Sequence, residues 1–181
     1  PTILVGTSTV PCAFTEEVIR TLSSHCERPI ILTLSNPTKL IEARPAQVIE
    51  WSEGRALTAT GAPFDPVEFK GTTYTIGQAN NAMLYPGLGL GCITVKASRI
   101  TDGMFAAAAR AVADLVTENG EGSPILPLVD DMREVSRTVA EAVAQQAIQE
   151  NIAQAPVEDV PAAVRRKMWT PAYARYEPEK P

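Results

Sequence analysis

The sequence predicts an α/β fold: a parallel sheet with helices on its faces, followed by added C-terminal helices. Three observations carry this. Short apolar runs alternate with helix-period stretches over residues 2–59, turn-forming Gly, Pro and Asn punctuate the junctions, and two long helix-period segments occupy the second half.

The elements follow in order. Thr2–Val5 is a short apolar run stopped by Gly6, the pattern of a buried parallel strand. Phe14–Glu27 predicts a helix. Phe14, Val18, Leu22 and Cys26 recur every fourth residue, Thr15 can cap the start, and Glu16 and Glu17 suit the positive end of the dipole. Ile30–Leu34, launched by Pro29 and stopped by Asn36-Pro37, is the second strand. Ala43–Glu53 is the next helix, with Pro45 near its first turn and Gly54 as its C-cap, and Ala56–Ala59 is the third strand.

Gly61–Pro66 is a turn-rich loop, and Thr72–Ile76 is an extended piece that can pair with Val67–Phe69 as a hairpin. A loop over Gly77–Asn81 leads to a Pro86-Gly87 junction and a small-residue segment. Pro86–Gly91 looks like a phosphate loop but lacks its Lys-Ser/Thr, so close backbone packing at a helix start is the better reading. Thr101–Thr117 is an Ala-rich helix capped by Thr101 or Asp102. Asp130–Glu150 is a long amphipathic helix with Met132, Val135, Val139 and Val143 on one face, its Asp130-Asp131 pair explained by capping. Residues 1–151 form one domain portion. Residues 152–181 form a charged tail punctuated by Pro156, Pro161, Pro171, Pro178 and Pro181, pinned by a short helix near Ala162–Met168 and by Trp169.

Composition removes several function classes. A net charge of −5 speaks against a nucleic-acid footprint, and no apolar run is long enough to span a membrane. Cys12, Cys26 and Cys92 are an odd set without a close pair, which fits a reducing cytoplasm rather than a disulfide framework or a zinc site. The single histidine, His25, sits beside Glu27 and Arg28 and reads as a solvated surface residue. A chain that opens on Pro1 inside a core strand is expected to be one part of a longer polypeptide.

In an open parallel sheet, ligands bind beyond the carboxyl ends of the strands. Gly6-Thr7-Ser8, Ser35-Asn36-Pro37-Thr38 and Thr60-Gly61-Ala62-Pro63 follow the three strands. Their small polar residues suit a sugar, an amide or a carboxylate, and serve equally as ordinary turns. Asn80-Asn81 offers amides in different directions, suited to a small polar ligand, although an Asx-rich turn explains the pair as well. No glycine-rich dinucleotide fingerprint follows the first strand, no acidic cluster is ready for a divalent metal, and no Lys or Tyr has an activating environment.

Six segments together resemble the malic enzyme family in order and spacing. They are Phe14–Val18, Arg28–Thr38 with its Leu34-Ser35-Asn36-Pro37-Thr38, Trp51–Ala56, Thr60–Val67, Gly77–Ala82 and Tyr85–Gly91. The second motif and the tail are similar to bacterial NAD-linked malate oxidoreductases and their malolactic relatives. The resemblance implies a partial, C-terminal portion of a Rossmann-like three-layer NAD(P)-binding domain. It implies an enzyme that oxidises malate with NAD or NADP and releases pyruvate and carbon dioxide with help from Mg²⁺ or Mn²⁺. The acid–base lysine and tyrosine, the acidic metal ligands and the dinucleotide fingerprint would lie upstream of Pro1, leaving this chain without catalytic or metal residues and inactive alone. The resemblance assigns Asn36 and Asn80 to substrate, and Gly6, Thr7, Ser8, Asn36 and Asn81 to the cofactor. The expected partners are malate or pyruvate and the N-terminal part of the same enzyme, within a cytoplasmic homo-oligomer, with no nucleic acid and no membrane. The alternatives are a malolactic enzyme, which yields lactate, and a non-catalytic nucleotide-binding module, which would need its own phosphate loop.

Cys12, Cys26 and Cys92 are expected to titrate as three free thiols under denaturing, non-reducing conditions. A stable intramolecular disulfide would contradict the reading of cysteine usage.

Overall fold

The computed structural model of the chain describes residues 1–116 and 120–172. The expected ends of the Ala-rich helix at Thr117 and of the tail at Pro178 and Pro181 lie outside those residues. Three strands, β1 (Ile3–Gly6), β2 (Ile30–Thr33) and β3 (Leu57–Thr60), pair in parallel in chain order. Helix α1 (Glu16–His25) connects the first two, and α2 (Pro45–Trp51) connects the second and third. Leu4 and Ile31 of the sheet meet Ile19 and Leu22 of α1 and Val48 of α2 in one apolar cluster. This is the repeating strand–helix unit of an α/β fold.

Local signals account for the helix ends. Thr15 is the N-cap of α1 and accepts from the Val18 amide. Pro45 opens α2, whose exit is closed by the Gly54 amide on the Ile49 carbonyl, a Schellman-type stop. The Arg55 guanidinium donates to the carbonyls of Ser23, Cys26 and Glu27, at the carboxyl end of α1.

Two readings of this region need correction. The strand expected to be buried, β1, is an edge strand with Ile3 and Val5 about half exposed, at 53% and 51%. It pairs with β2 only, and apolar composition alone does not distinguish a covered strand from an uncovered one. The inner face of α1 is Ile19, Leu22 and Ser23, while Val18 points outward. Four residues advance about 40° beyond a full helical turn, so a strict every-fourth series leaves the buried face, whereas a mixed three-and-four spacing stays on it.

Beyond β3 the chain forms the expected antiparallel hairpin, β4 (Val67–Phe69) with β5 (Thr72–Tyr74). Gly77–Gln78, expected as loop, is instead a fourth parallel strand, β6, beside β3. Two residues carry no readable apolar alternation, so this strand exists through its ladder to Ala59 and Thr60.

A second core is wholly helical. It comprises α3 (Tyr85–Val95), α4 (Asp102–Asp114), α5 (Met132–Gln149) and α6 (Val160–Lys167). Thr101 is the cap of α4, through the Met104 amide. Val135, Val139 and Val143 of α5 are buried at the centre, as the periodicity predicts. Asp130 and Asp131 sit in a short 3-10 turn before α5, and Asp131 makes no side-chain cap, so their contribution there is charge at a helix start. The Pro86–Gly91 segment is the body of α3, lying directly against α5. A Cβ at Gly87 would stand 2.6 Å from the Val139 Cβ, and one at Gly91 would stand 2.7 Å from the Ala140 carbonyl oxygen. Trp169 does not pin the tail: its side chain is 74% exposed, and the anchors are Val160 and Val164 of α6 and a bond from Arg133 to the Trp169 carbonyl. Among the described residues no helix is long and apolar enough to cross a membrane.

The packing of α3 on α5 predicts opposite outcomes at two neighbouring glycines. Gly87→Ala should destabilise by about 1–3 kcal/mol, the usual cost of overpacking. Gly89 has nothing within 4 Å of its would-be Cβ, so Gly89→Ala should be neutral or stabilise by roughly 0.5–1 kcal/mol through helix propensity. Urea denaturation of both variants checks this, and equal effects would contradict the close approach.

Candidate functional site

Parallel register brings the carboxyl ends of all four strands to one edge. Gly6 faces Thr33, Thr33 faces Thr60, and Thr60 faces Gln78. The ladder runs on past the strands, with the Leu34 amide on Gly6, the Gly61 amide on Thr33 and the Ala79 amide on Thr60. Thr7–Ser8, Asn36, Gly61 and Asn80–Asn81 therefore leave the sheet side by side. At the usual strand spacing the row is roughly 15 Å long, with the Asn36 and Asn80 loops about 10 Å apart at their bases. Thr7, Ser8, Asn36, Asn80 and Asn81 are exposed there, and Gly6 is buried beneath them.

A residue that the motifs do not single out organises this edge. Glu42 is fully buried at the turn before α2, at 0% exposure. Its carboxylate accepts four hydrogen bonds: from the Ser8 amide at 2.9 Å, the Ser8 hydroxyl at 3.0 Å, the Ser35 amide at 3.4 Å and the Ser35 hydroxyl. Ser35 Oγ also accepts from the Thr9 amide at 2.9 Å. Gly6 makes room for this group, because a Cβ there would stand 2.6 Å from Glu42 Cδ. Burial pushes the Glu42 carboxyl up. Hydrogen bonds from Ser35 and Ser8 and from its own backbone amide pull it down, and they prevail, leaving it below the ordinary carboxylate value. A charged residue inside the apolar run Leu40-Ile41-Glu42-Ala43 is the sequence signal that could have found it.

The expected site residues are placed differently from one another. Ser8 faces inward: its amide and hydroxyl go to Glu42, its hydroxyl also accepts from the Val10 amide, and its carbonyl accepts from the Thr9 hydroxyl at 2.6 Å. Thr7, in the same turn, is exposed. Asn36, joined to Pro37 by a cis peptide bond, lies against Gly61 and donates a long 3.5 Å bond to the Leu34 carbonyl. Asn80 caps the short 3-10 turn Asn81–Met83 through Oδ1, which accepts from the Ala82 amide at 2.9 Å. Asn80 is thus an Asx-type cap, and its Nδ2 donors, unbonded among the described residues, have the polarity that suits a carboxylate.

Other features lie elsewhere. A cavity of about 780 Å³ opens at the opposite end of the sheet, lined by Arg28, Arg55, Leu57, Thr58, Tyr74 and Glu121 among others. Tyr74 donates to Glu121 at 2.7 Å, and burial together with that acidic neighbour pushes the phenol up to about 12. This is the amino end of the strands, the wrong end for a ligand of an open parallel sheet. His25 is exposed in the last turn of α1, and Cys12, Cys26 and Cys92 are free. Among the described residues no group of three or more His, Cys, Asp and Glu could hold a metal.

The lowered Glu42 value sets a pH dependence. A carboxyl depressed in the folded state contributes stability that is fully present above the unfolded value, about 4.3, and is lost as pH falls through the lower folded value. Glu42→Gln should cost about 1–3 kcal/mol at neutral pH, and the difference from the parent should shrink through the acid range. Denaturant melts at a series of pH values check this, and a difference that is independent of pH would contradict it.

Comparison with known proteins shows the family. The sequence profile of the family described as "Malic enzyme, NAD binding domain" matches residues 1–148. The chain is 57% identical over 173 residues to "NAD-dependent malic enzyme 3" of Bacillus subtilis, a match covering 96% of this chain and 31% of that protein. It is 47% identical over 173 residues to "Malolactic enzyme" of Lactococcus lactis, covering 96% of this chain and 32% of that one. The crystal structure of Entamoeba histolytica malic enzyme matches with a TM-score of 0.73 at 27% identity, over 92% of this chain and 32% of that one. The chain thus spans about a third of the length of the relatives it matches. With its parallel Rossmann-like sheet and its polar strand-end loops, the chain belongs to the malic enzyme family, where it corresponds to the NAD-binding domain.

Proposed function

We propose that the whole protein oxidises and decarboxylates malate to pyruvate with NAD, and that this chain supplies the strand-end half of the nucleotide and substrate site. The observation that carries this is the convergence of the Gly6–Ser8, Asn36 and Asn80–Asn81 loops on one sheet edge in a malic enzyme NAD-binding domain. The small polar residues that leave this edge suit a dinucleotide: Thr7, Asn36 and Asn81 are exposed there and offer hydroxyl and amide groups to a sugar or an amide. When bound, NAD supplies the hydride acceptor.

The residues of this chain bind and orient. The Gly6–Thr7 turn presents backbone and the Thr7 hydroxyl to the cofactor. Asn36, steadied against Gly61, stands between the cofactor turn and the Asn80 loop, where it can serve both ligands. Asn80, with Oδ1 held by its cap, directs Nδ2 at a substrate carboxylate, and Asn81 follows beside the cofactor. Orientation of this kind lowers the entropic cost of reaction. The proton-transfer groups and metal ligands belong to the remaining two thirds of the enzyme, which we place against the half-exposed β1 edge bearing Ile3 and Val5. The three free cysteines support a cytoplasmic enzyme, which we take to act as a homo-oligomer.

The Lactococcus relative's name favours a second reading, malate to lactate and carbon dioxide on the same fold. Product analysis separates the two, since pyruvate with reduced cofactor marks the first and lactate the second.

In the full-length enzyme, Asn80→Ala should raise the malate KM and slow turnover, and Asn36→Ala should impair both malate and NAD use. Loss of a hydrogen bond to a charged group costs about 1.5–3 kcal/mol, so each effect should be roughly tenfold to a hundredfold. Steady-state kinetics of both variants decide, and unchanged constants in both would refute the assignment.

A further inference from the structure

We propose that Glu42 is a positioning residue for the cofactor: its buried carboxylate clamps the turn after β1 to the turn after β2, so that NAD affinity depends on a side chain that touches no ligand. This rests on the reading of the strand-end edge as the nucleotide site.

The geometry separates Glu42 from an ordinary satisfied core carboxylate. Its four side-chain hydrogen bonds come from Ser8 and Ser35, one residue in each strand-end turn. Ser35 extends the link by accepting from the Thr9 amide, so Glu42, Ser35 and Thr9 form a continuous bridge between the turns. The backbone runs in the same seam, with the Cys12 amide on the Ile41 carbonyl and the Phe14 amide on the Glu42 carbonyl. The turn needs such restraint. Thr9 is a β-branched residue in the left-handed region at φ 56°, Cys12 follows at φ 58°, and residues 7–13 are all exposed, so none of them is anchored in a core. Hydrogen bonds hold this turn, and its side-chain bonds to the neighbouring turn meet at Glu42 and Ser35.

The consequence reaches both ligands. Because the inward-facing Ser8 spends its donors on Glu42, its part in cofactor binding is to fix the outward face of Gly6 and Thr7. Ser35 immediately precedes Asn36, so the same carboxylate sets where the Asn36 amide stands. Side chains that hold ligand-contacting groups in place commonly govern affinity without contact.

The test uses the full-length enzyme with Glu42→Gln and Ser35→Ala, NAD titration, steady-state kinetics and hydrogen exchange followed by mass spectrometry. Glu42→Gln should raise the NAD KM and Kd about tenfold and the malate KM by a smaller factor, while kcat with both substrates saturating changes less than about twofold. Exchange should accelerate in peptides covering residues 7–12 and 34–38 and stay unchanged in β3. Ser35→Ala, which keeps the Ser8 bonds, should show the same pattern with a smaller rise in KM. If Glu42→Gln folds poorly, Ser35→Ala alone reads the outcome through the same KM and exchange changes. An active parent whose Glu42→Gln and Ser35→Ala variants keep the parental NAD KM and exchange overturns the clamp alone. So does a variant that loses kcat in proportion to folded protein with KM unchanged. A parent that neither binds NAD nor oxidises malate overturns the functional reading, and the clamp with it.

Discussion

Parallel pairing in a single register is the constraint on which this structure depends. Helical connections return β2 and β3 in the direction of β1, and the segment through the β4–β5 hairpin returns β6 likewise, so all four strands finish at one edge. The connections may vary, but their starting points cannot. Amides from Leu34, Gly61 and Ala79 extend the ladder by one rung beyond the strands, which carries the fixed geometry of the sheet into the loops. Candidate binding groups that are far apart in sequence, from Gly6 to Asn81, are thereby held on a rigid base.

Register places the loops, but it does not hold their tips. That task falls to polar contacts: the Asn80 cap on Ala82, the Thr60 hydroxyl on the Ala62 carbonyl, the Gln78 amide on the Gly61 carbonyl and the Glu42 carboxylate under two turns. A carboxylate out of water is costly unless its lone pairs are filled, and four donors fill them here. The depressed titration of Glu42 reflects that balance, because the charged form is the one the turns are built to bond. The buried glycine at the end of β1 belongs to the same arrangement, since Glu42 occupies the space that a side chain there would need.

Much of this was legible in the sequence. Apolar runs bounded by Gly and Pro marked β1 to β3, cap residues marked the starts of α1 and α4, and Pro45 marked that of α2. The period of Val135, Val139 and Val143 marked the buried face of α5. What stayed hidden was tertiary. The two-residue strand β6 has no pattern of its own, and the exposure of β1 depends on which neighbours cover it. The inward turn of Ser8 and the burial of Glu42 depend on each other, thirty-four positions apart; the apolar neighbours of Glu42 signal its burial, but nothing local shows its partners. Trp169 is a large aromatic of the kind that usually buries, yet the tail is held by smaller residues of α6.

On the proposed reading, nucleotide and substrate meet at the carboxyl edge of the sheet, not in the cavity at its amino end. Hydrogen exchange of the full-length protein with and without NAD and malate tests this directly. The account predicts new protection in residues 6–12, 34–38 and 77–82, with little change at 27–28, 54–58 and 74–76. Protection centred on Arg28, Arg55 and Tyr74, with the strand-end loops unchanged, would contradict it.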